Sequence, residues 1–299
     1  MADGPRLLLT RPLAQARDWS ERLAGLGVPT LAFPLIDIVP GADPALAAQA
    51  WAELPRLALV MFVSPNAVKH FFDHRPNGQP WPAGVLAATV GPGSAHALEA
   101  AGVPADQIVQ PPLGADSLDS EHLWPEIQRV AGSDWTGRHA LLVRGDGGRE
   151  WLGDRLREAG AQVAAVSVYR RQCPVLDART HQQLASALHQ PDRHIWLFSS
   201  SEAIGYLAAM VAGEATASAS QRTSPECGTT PDATAHRGSV PQPPIAVNWR
   251  AVRAVATHER IAARARALGL VHVVLVRPDA AAVAEAFRRL SGCPLESPT

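Results

Sequence analysis

Three kinds of side chain recur in this sequence where an aliphatic run gives way to a helical one. Serines head helical stretches at Ser64, at Ser94 and in the cluster Ser199, Ser200 and Ser201. Arginines close aliphatic runs at Arg11, Arg144 and Arg277, and one of only two tyrosines, Tyr169, lies in Ser167-Val168-Tyr169-Arg170. A serine before a helix is most simply an N-cap, its oxygen accepting from first-turn amides. The same amides and hydroxyls can cradle an anion. A strand-end arginine either stays solvated or forks onto a carboxylate. A phenol either packs in a core or linker, or passes a proton to a leaving hydroxyl. Anion recognition beside a proton donor is the chemistry that these residue types support.

Other familiar chemistries lack their residues. Val90-Gly91-Pro92-Gly93-Ser94 does not have GxGxxG spacing, and its proline stands where a phosphate-cradling amide is wanted. The eleven histidines form no HxH pair, and no metal site is expected. No GxSxG elbow occurs. Lys69 is the only lysine and sits in a helical stretch, where a surface charge is the simplest reading. Arg144-Gly145-Asp146 matches an adhesion tripeptide, but chance explains it in a strand-to-helix turn.

Composition sets the frame. The chain has 299 residues, 46% of them hydrophobic and 18% charged, which describes globular folding into about two domains. A net charge of −1 argues against nucleic-acid binding through a global positive field. Cys173, Cys227 and Cys293 are scattered, so neither a disulfide framework nor a cysteine zinc site is expected, and a reducing cytoplasm is the simplest compartment. No secretory signal and no 18-residue apolar run is visible, so no membrane partner is expected.

The elements that must position these residues come as an internal duplication. Leu7–Leu26 and Leu141–Ala159 align Arg11 with Arg144, Arg22 with Arg155 and Gly27 with Gly160. Second strands follow at Pro29–Ile38 and Gln162–Arg171. Leu59–Phe72 and Ile195–Leu207 align Phe62 with Phe198 and Ser64 with Ser200. Ala88–Gly102 and Val255–Gly269 form a third pair, with Gln107–Trp124 and His272–Leu290 a weaker fourth. The extra length in the second copy falls in a Ser/Thr/Ala/Gly/Pro-rich stretch near 213–244, expected to be a disordered insertion. Repeated βα units with aliphatic strands predict an α/β fold of two similar lobes, each a mostly parallel sheet flanked by helices, with a cleft between them. Ligands in such sheets bind outside the strands' carboxyl ends. There lie Arg11, Ser64, Asn66, Gly91, Gly93, Ser94, Arg144, Ser199 to Ser201, Thr257, His258 and Arg277.

Taken in order, Leu8-Leu9-Thr10-Arg11-Pro12, Phe62 to Val68, Ala88 to Ala95, Val166 to Arg170 and Phe198 to Ser201 resemble the uroporphyrinogen-III synthase family of tetrapyrrole biosynthesis. The similarity spans the chain apart from the insertion. The resemblance implies that residues 1–37 and 173–299 form one lobe and 40–171 the other. The extended segments 33–40 and 166–174 would then cross between them. It also implies an enzyme that closes hydroxymethylbilane to uroporphyrinogen III with inversion of the last ring and loss of water. No cofactor, metal or covalent nucleophile takes part. The chain would act as a monomer, with hand-over of substrate from hydroxymethylbilane synthase.

By position, the resemblance assigns Tyr169 as the acid for hydroxyl loss. Because the substrate is a polycarboxylate and the chain is near neutral, local donors at the turns named above must bind it. The family's glycine-then-hydroxyl turn is absent from the second copy, where Ile261 replaces the hydroxyl and Thr257 or His258 is left to serve. The rival reading is a non-catalytic bilobal module that binds an anion as a sensor. A Rossmann-type oxidoreductase is disfavoured by the missing glycine fingerprint.

Overall fold

The computed structural model describes residues 4–112, 117–147, 150–213 and 243–292. Residues 214–242 of the expected insertion, together with Cys227 and Cys293, lie outside the described residues. The elements alternate. The first stretch comprises β1 (Arg6–Leu9), α1 (Leu13–Ala24), β2 (Thr30–Ala32), β3 (Asp37–Pro40) and α2 (Pro44–Glu53). Then come β4 (Leu59–Phe62), α3 (Pro65–Phe72), β5 (Leu86–Thr89), α4 (Pro92–Ala100), β6 (Ile108–Val109) and α5 (Ser120–Ala131). The second copy opens with β7 (His139–Gly145), α6 (Trp151–Glu158), β8 (Gln162–Gln172) and α7 (Ala178–His189). It closes with β9 (His194–Phe198), α8 (Ser201–Ala212), β10 (Arg253–Ala256), α9 (Glu259–Ala267), β11 (His272–Leu275) and α10 (Ala280–Ser291).

These elements build two sheets in two compact units. Unit 1 joins the residues up to Asp37 with those from Gln172 onward, and unit 2 is Ile38–Arg171. The unit 1 sheet has the order β11-β10-β9-β1-β2, and the unit 2 sheet β3-β8-β7-β4-β5-β6. All pairs within β11-β10-β9-β1-β2 and β8-β7-β4-β5-β6 are parallel. The two copies exchange their beginnings. β1 and β2 complete the sheet made by the last three strands of the second copy, and β7 and β8 complete the one made by the last three of the first.

The strands read as unbroken apolar runs because helices cover both faces. Leu7, Leu8 and Leu9 are all fully buried, with Leu7 and Leu9 packing on Trp19 and Leu23 of α1 and Val283 and Phe287 of α10. In unit 2, Val60 and Phe62 face Trp51 and Phe71, while Leu59 and Met61 face Leu123, Ile127, Leu152 and Leu156 on the opposite side. Trp51 stacks on Phe71 at 5.0 Å and donates its indole N–H to the Phe71 carbonyl at 2.7 Å, so its one polar atom is satisfied in the core.

One expected strand is two. Pro29–Ile38 splits into β2, which pairs with β1 in unit 1, and β3, which joins the unit 2 sheet. Pro34 stands between Phe33 and Leu35, whose N–H groups donate to Leu9 and Thr10, so its missing N–H faces the open edge of the unit 1 sheet beyond β2. Its counterpart, β8, meets no proline before Pro174 and runs for 11 residues.

Candidate functional site

Each sheet reverses its strand order once, between β1 and β9 in unit 1 and between β7 and β4 in unit 2. There the following helices depart to opposite faces and leave a crevice at the strands' carboxyl ends. A cavity lies at both places.

The unit 2 cavity, of about 350 Å³, is walled by Met61 and Val63 after β4, Arg144 to Gly147 at the end of β7, and Tyr169 and Arg171 of β8. Val90 and Leu118 to Ser120 complete the wall. The position of Tyr169 follows from two local features. Arg144 pairs with Ser167 but Gly145 pairs with Tyr169, so Val168 is the extra residue of a bulge. A bulge re-aims the next side chain, and the neighbours Val168 and Tyr169 accordingly enter the same core cluster. Gly145 then makes room, since a Cβ there would stand 2.7 Å from the Tyr169 ring.

Tyr169 is 1% exposed, yet its hydroxyl is hydrogen-bonded. Ser64 Oγ lies 3.1 Å from Tyr169 Oη, and Arg171 Nη2 donates to the same oxygen at 3.4 Å, with its guanidinium 5.8 Å from the ring centre. The His70 ring stacks on Tyr169 at 6.0 Å. Burial and the adjacent Lys69 push the His70 imidazole below its ordinary value. The Tyr169 ring is thus packed in the core, while its oxygen sits among polar partners at a cavity wall.

The remaining unit 2 expectations divide. Ser64 caps α3, accepting from the Ala67 N–H at 3.2 Å. Arg144 lines the cavity and is ion-paired with Glu150. Asn66, Gly91, Gly93 and Ser94 are not in the wall. Ser94 corrects the expectation of a helix-heading hydroxyl: Gly91 occupies the cap of α4 with no side-chain bond, and Ser94 falls within the first turn and is buried. Lys69 is a surface residue, paired with Asp73 at 2.7 Å.

The unit 1 cavity, of about 530 Å³, gathers Arg11 after β1, Ser199 to Glu202 after β9, Thr257, His258, Arg260 and Ile261 after β10, and Pro278. Ser200 caps α8, accepting from Glu202 N–H at 3.2 Å, and His258 caps α9 through Nδ1, accepting from Arg260 N–H at 3.1 Å. Thr257 and His258 line this cavity together with Ile261. Arg277 does not line the cavity; it is exposed, and its neighbour Pro278 takes the place. Arg11 lies over Trp19 at 4.4 Å, and its buried Nε has no hydrogen-bond partner. Burial pushes its guanidinium down to about 10, helped by Arg22 and opposed by Asp18.

Sequence reasoning missed Arg171, Asp119 and Asp146 in unit 2 and Glu202 and Arg260 in unit 1. Asp119 was legible as a cap ahead of Ser120-Glu121-His122. It accepts from His122 N–H at 3.0 Å and bonds His122 Nδ1 at 2.7 Å. Hydrogen bonds from Ser117 and His122 hold its carboxyl well below the usual carboxylate range. Arg171 was legible by strand alternation, which places it on the same face as Tyr169 and Arg170 on the other. Asp146 accepts from the Ser167 hydroxyl, and its own N–H donates to the Tyr169 carbonyl at 3.2 Å. Among the described residues, no group of three or more His, Cys, Asp or Glu could hold a metal ion, and no helix is long and apolar enough to cross a membrane.

Comparison with known proteins gives one consistent answer. Residues 17–228 match the family described as uroporphyrinogen-III synthase HemD. A uroporphyrinogen-III synthase of Salmonella typhimurium is 32% identical over 168 residues, 55% of this chain and 64% of that protein. One from Escherichia coli is 33% identical over 168 residues, with the same shares of 55% and 64%. The match thus spans a little under two thirds of these relatives' length. Among solved structures, a uroporphyrinogen III synthase of Thermus thermophilus superposes with a TM-score of 0.52 at 17% identity, covering 96% of this chain and 98% of that one. One from Helicobacter pylori gives 0.54 at 14% identity, covering 96% and 99%. At those identities the structures speak for the two-lobed α/β fold.

Proposed function

The chain belongs to the uroporphyrinogen-III synthase family, and from that premise we propose that it closes hydroxymethylbilane to uroporphyrinogen III, inverting the terminal ring and releasing water. The observation that carries this reading is the Tyr169 hydroxyl, set in a packed core at the wall of the unit 2 cavity between Ser64 and Arg171. The Tyr169 Oη–H gives its proton to the substrate's hydroxymethyl oxygen, the C–O bond breaks, and water leaves. The remaining azafulvenium cation is attacked by the substituted α-carbon of the last pyrrole ring, giving a spiro intermediate. Rearrangement and loss of a ring proton restore aromaticity, and that proton returns to the phenolate. No net proton is consumed.

The bilane closes without inversion when left alone, so the protein's contribution is chiefly orientation, worth up to about 7–11 kcal/mol in favourable intramolecular cases. A cavity of about 350 Å³ lies at the low end for small-molecule sites and takes the reacting end of a tetrapyrrole rather than all of it. Carboxylates find donors in either unit: Arg144 in unit 2, and Arg11 with the amides of α8 and α9 in unit 1. Because the open bilane is unstable, a monomeric enzyme taking it directly from hydroxymethylbilane synthase fits this chemistry. The test is to supply hydroxymethylbilane, oxidise the product and separate the isomers. Type III porphyrin is expected in excess. Type I alone, at the rate of the uncatalysed closure, overturns the reading and leaves an anion-binding module.

A further inference from the structure

We infer that Arg171, together with Ser64, forms an anion-stabilising pair for the Tyr169 oxygen itself, so that Arg171 is a positioning residue for the acid step. The inference rests on the reading of Tyr169 as the proton donor. A guanidinium has no acceptor atom, so the bond from Arg171 Nη2 to Tyr169 Oη at 3.4 Å has only one direction. Ser64 Oγ already accepts from the Ala67 N–H as the cap of α3, which leaves its single proton available for Tyr169 Oη at 3.1 Å. With both neighbours donating, the phenol's own proton is directed to the cavity. Once that proton has moved to the substrate, the phenolate keeps both donors and gains the attraction of the nearby cation. The arrangement resembles an oxyanion hole, aimed at the catalyst's oxygen in place of the substrate's.

The geometry assigns this role to Arg171 over its neighbour. Arg170 follows Tyr169 directly but makes no bond to the phenol oxygen, whereas Arg171 bonds it and shares the cavity wall with it. Arg171 is exposed at that wall, so its pull on the phenolate is partly screened and a moderate effect is expected.

The experiment is a double-mutant cycle on the full chain, read as kcat and KM for type III product. Arg171→Gln should lower kcat about tenfold and leave KM within about twofold, the loss expected for one charge-assisted hydrogen bond. Arg171→Lys should recover part of the loss. In a Tyr169→Phe background, Arg171→Gln should lower kcat no further, because the oxygen it serves is gone. Phenylalanine keeps the buried ring, and thermal melts of all four proteins identify any loss that comes from unfolding. A rise in KM alone, or a kcat loss that persists undiminished beside Tyr169→Phe, assigns Arg171 to carboxylate binding or to the fold and overturns the inference. Those results leave the proposed activity standing. Wild-type protein that releases only the type I isomer removes the activity and the inference together.

Discussion

The two cavities occupy equivalent places in the duplicated fold, and they have been furnished differently. Both lie where the strand order reverses, and both are lined by an arginine at the end of an inner strand, Arg11 or Arg144. A serine caps the helix after the neighbouring strand, Ser200 in the unit 1 wall and Ser64 behind Tyr169 in unit 2. In unit 2 the arginine is neutralised by Glu150, and the serine is bonded to the Tyr169 phenol. In unit 1 the buried Nε of Arg11 is unpartnered, and Ser200 accepts from the Glu202 amide at the head of α8. The residue aligned with Tyr169 is Ile36, a buried aliphatic. The proposed proton donor and its neighbours thus fall in unit 2, and the unpartnered Nε of Arg11 falls among helix N-termini in unit 1.

The comparison breaks most completely if unit 2 loses its phenol. Tyr169→Phe should reduce type III formation about 10²-fold, the ordinary contribution of a general acid, while residual turnover persists through orientation alone. Full turnover in that variant removes Tyr169 from the mechanism. Gly145→Ala should act through the same atom, because its Cβ cannot coexist with the ring at 2.7 Å. A loss of roughly tenfold or more is expected from misplacement, and combination with Tyr169→Phe should add little. Equal and independent losses would show that Gly145 matters for folding alone.

The arginines sharpen the contrast. Arg11→Met should raise KM about tenfold through the lost carboxylate partner, whereas Arg144→Met, which removes a cation already held by Glu150, should change KM about twofold. Arg11→Met should also raise the melting temperature at neutral pH by roughly 2 °C, because burying a polar atom without a partner is costly. The sign with pH follows from linkage. The folded guanidinium, at about 10, binds its proton less tightly than the unfolded one. The cost is therefore fully present below pH 10, and wild-type stability recovers relative to the variant only above it. A variant less stable than wild type at pH 7 contradicts the account.

The smallest effects concern the caps of the last helix in each copy. Asp119 and Asp279 each accept from a first-turn amide, at 3.0 and 2.8 Å. Replacement of either by alanine should cost about 1 kcal/mol in urea unfolding. Since the folded carboxyl of Asp119 titrates below its unfolded value, its contribution is present above the usual carboxylate range and drains away as the pH falls through and below it. Only Asp119→Ala should also alter turnover, because Asp119 lines a cavity.

Legibility in the sequence followed the range of the interaction. The duplication, the apolar strands and the caps at Ser64, Ser200 and Asp119 could be read because each depends on residues within a turn or a strand of one another. Ser94 was misread because a serine three places beyond a glycine cap looks the same in sequence as one that heads a helix. Pro34 was visible, but the division of its strand between two sheets depended on which partners flank it.

By itself, the sequence determined two βα repeats, buried parallel strands and the turns that could hold an anion, since periodicity and capping are encoded locally. Tertiary structure alone decided that the repeats exchange their opening strands, and that a bulge at Val168 turns Tyr169 into the core beneath Ser64. The bond between those two residues spans 105 positions of chain. Such a contact comes from the packing of β8 against β7 and of α3 on the same sheet, which no local pattern of residues specifies.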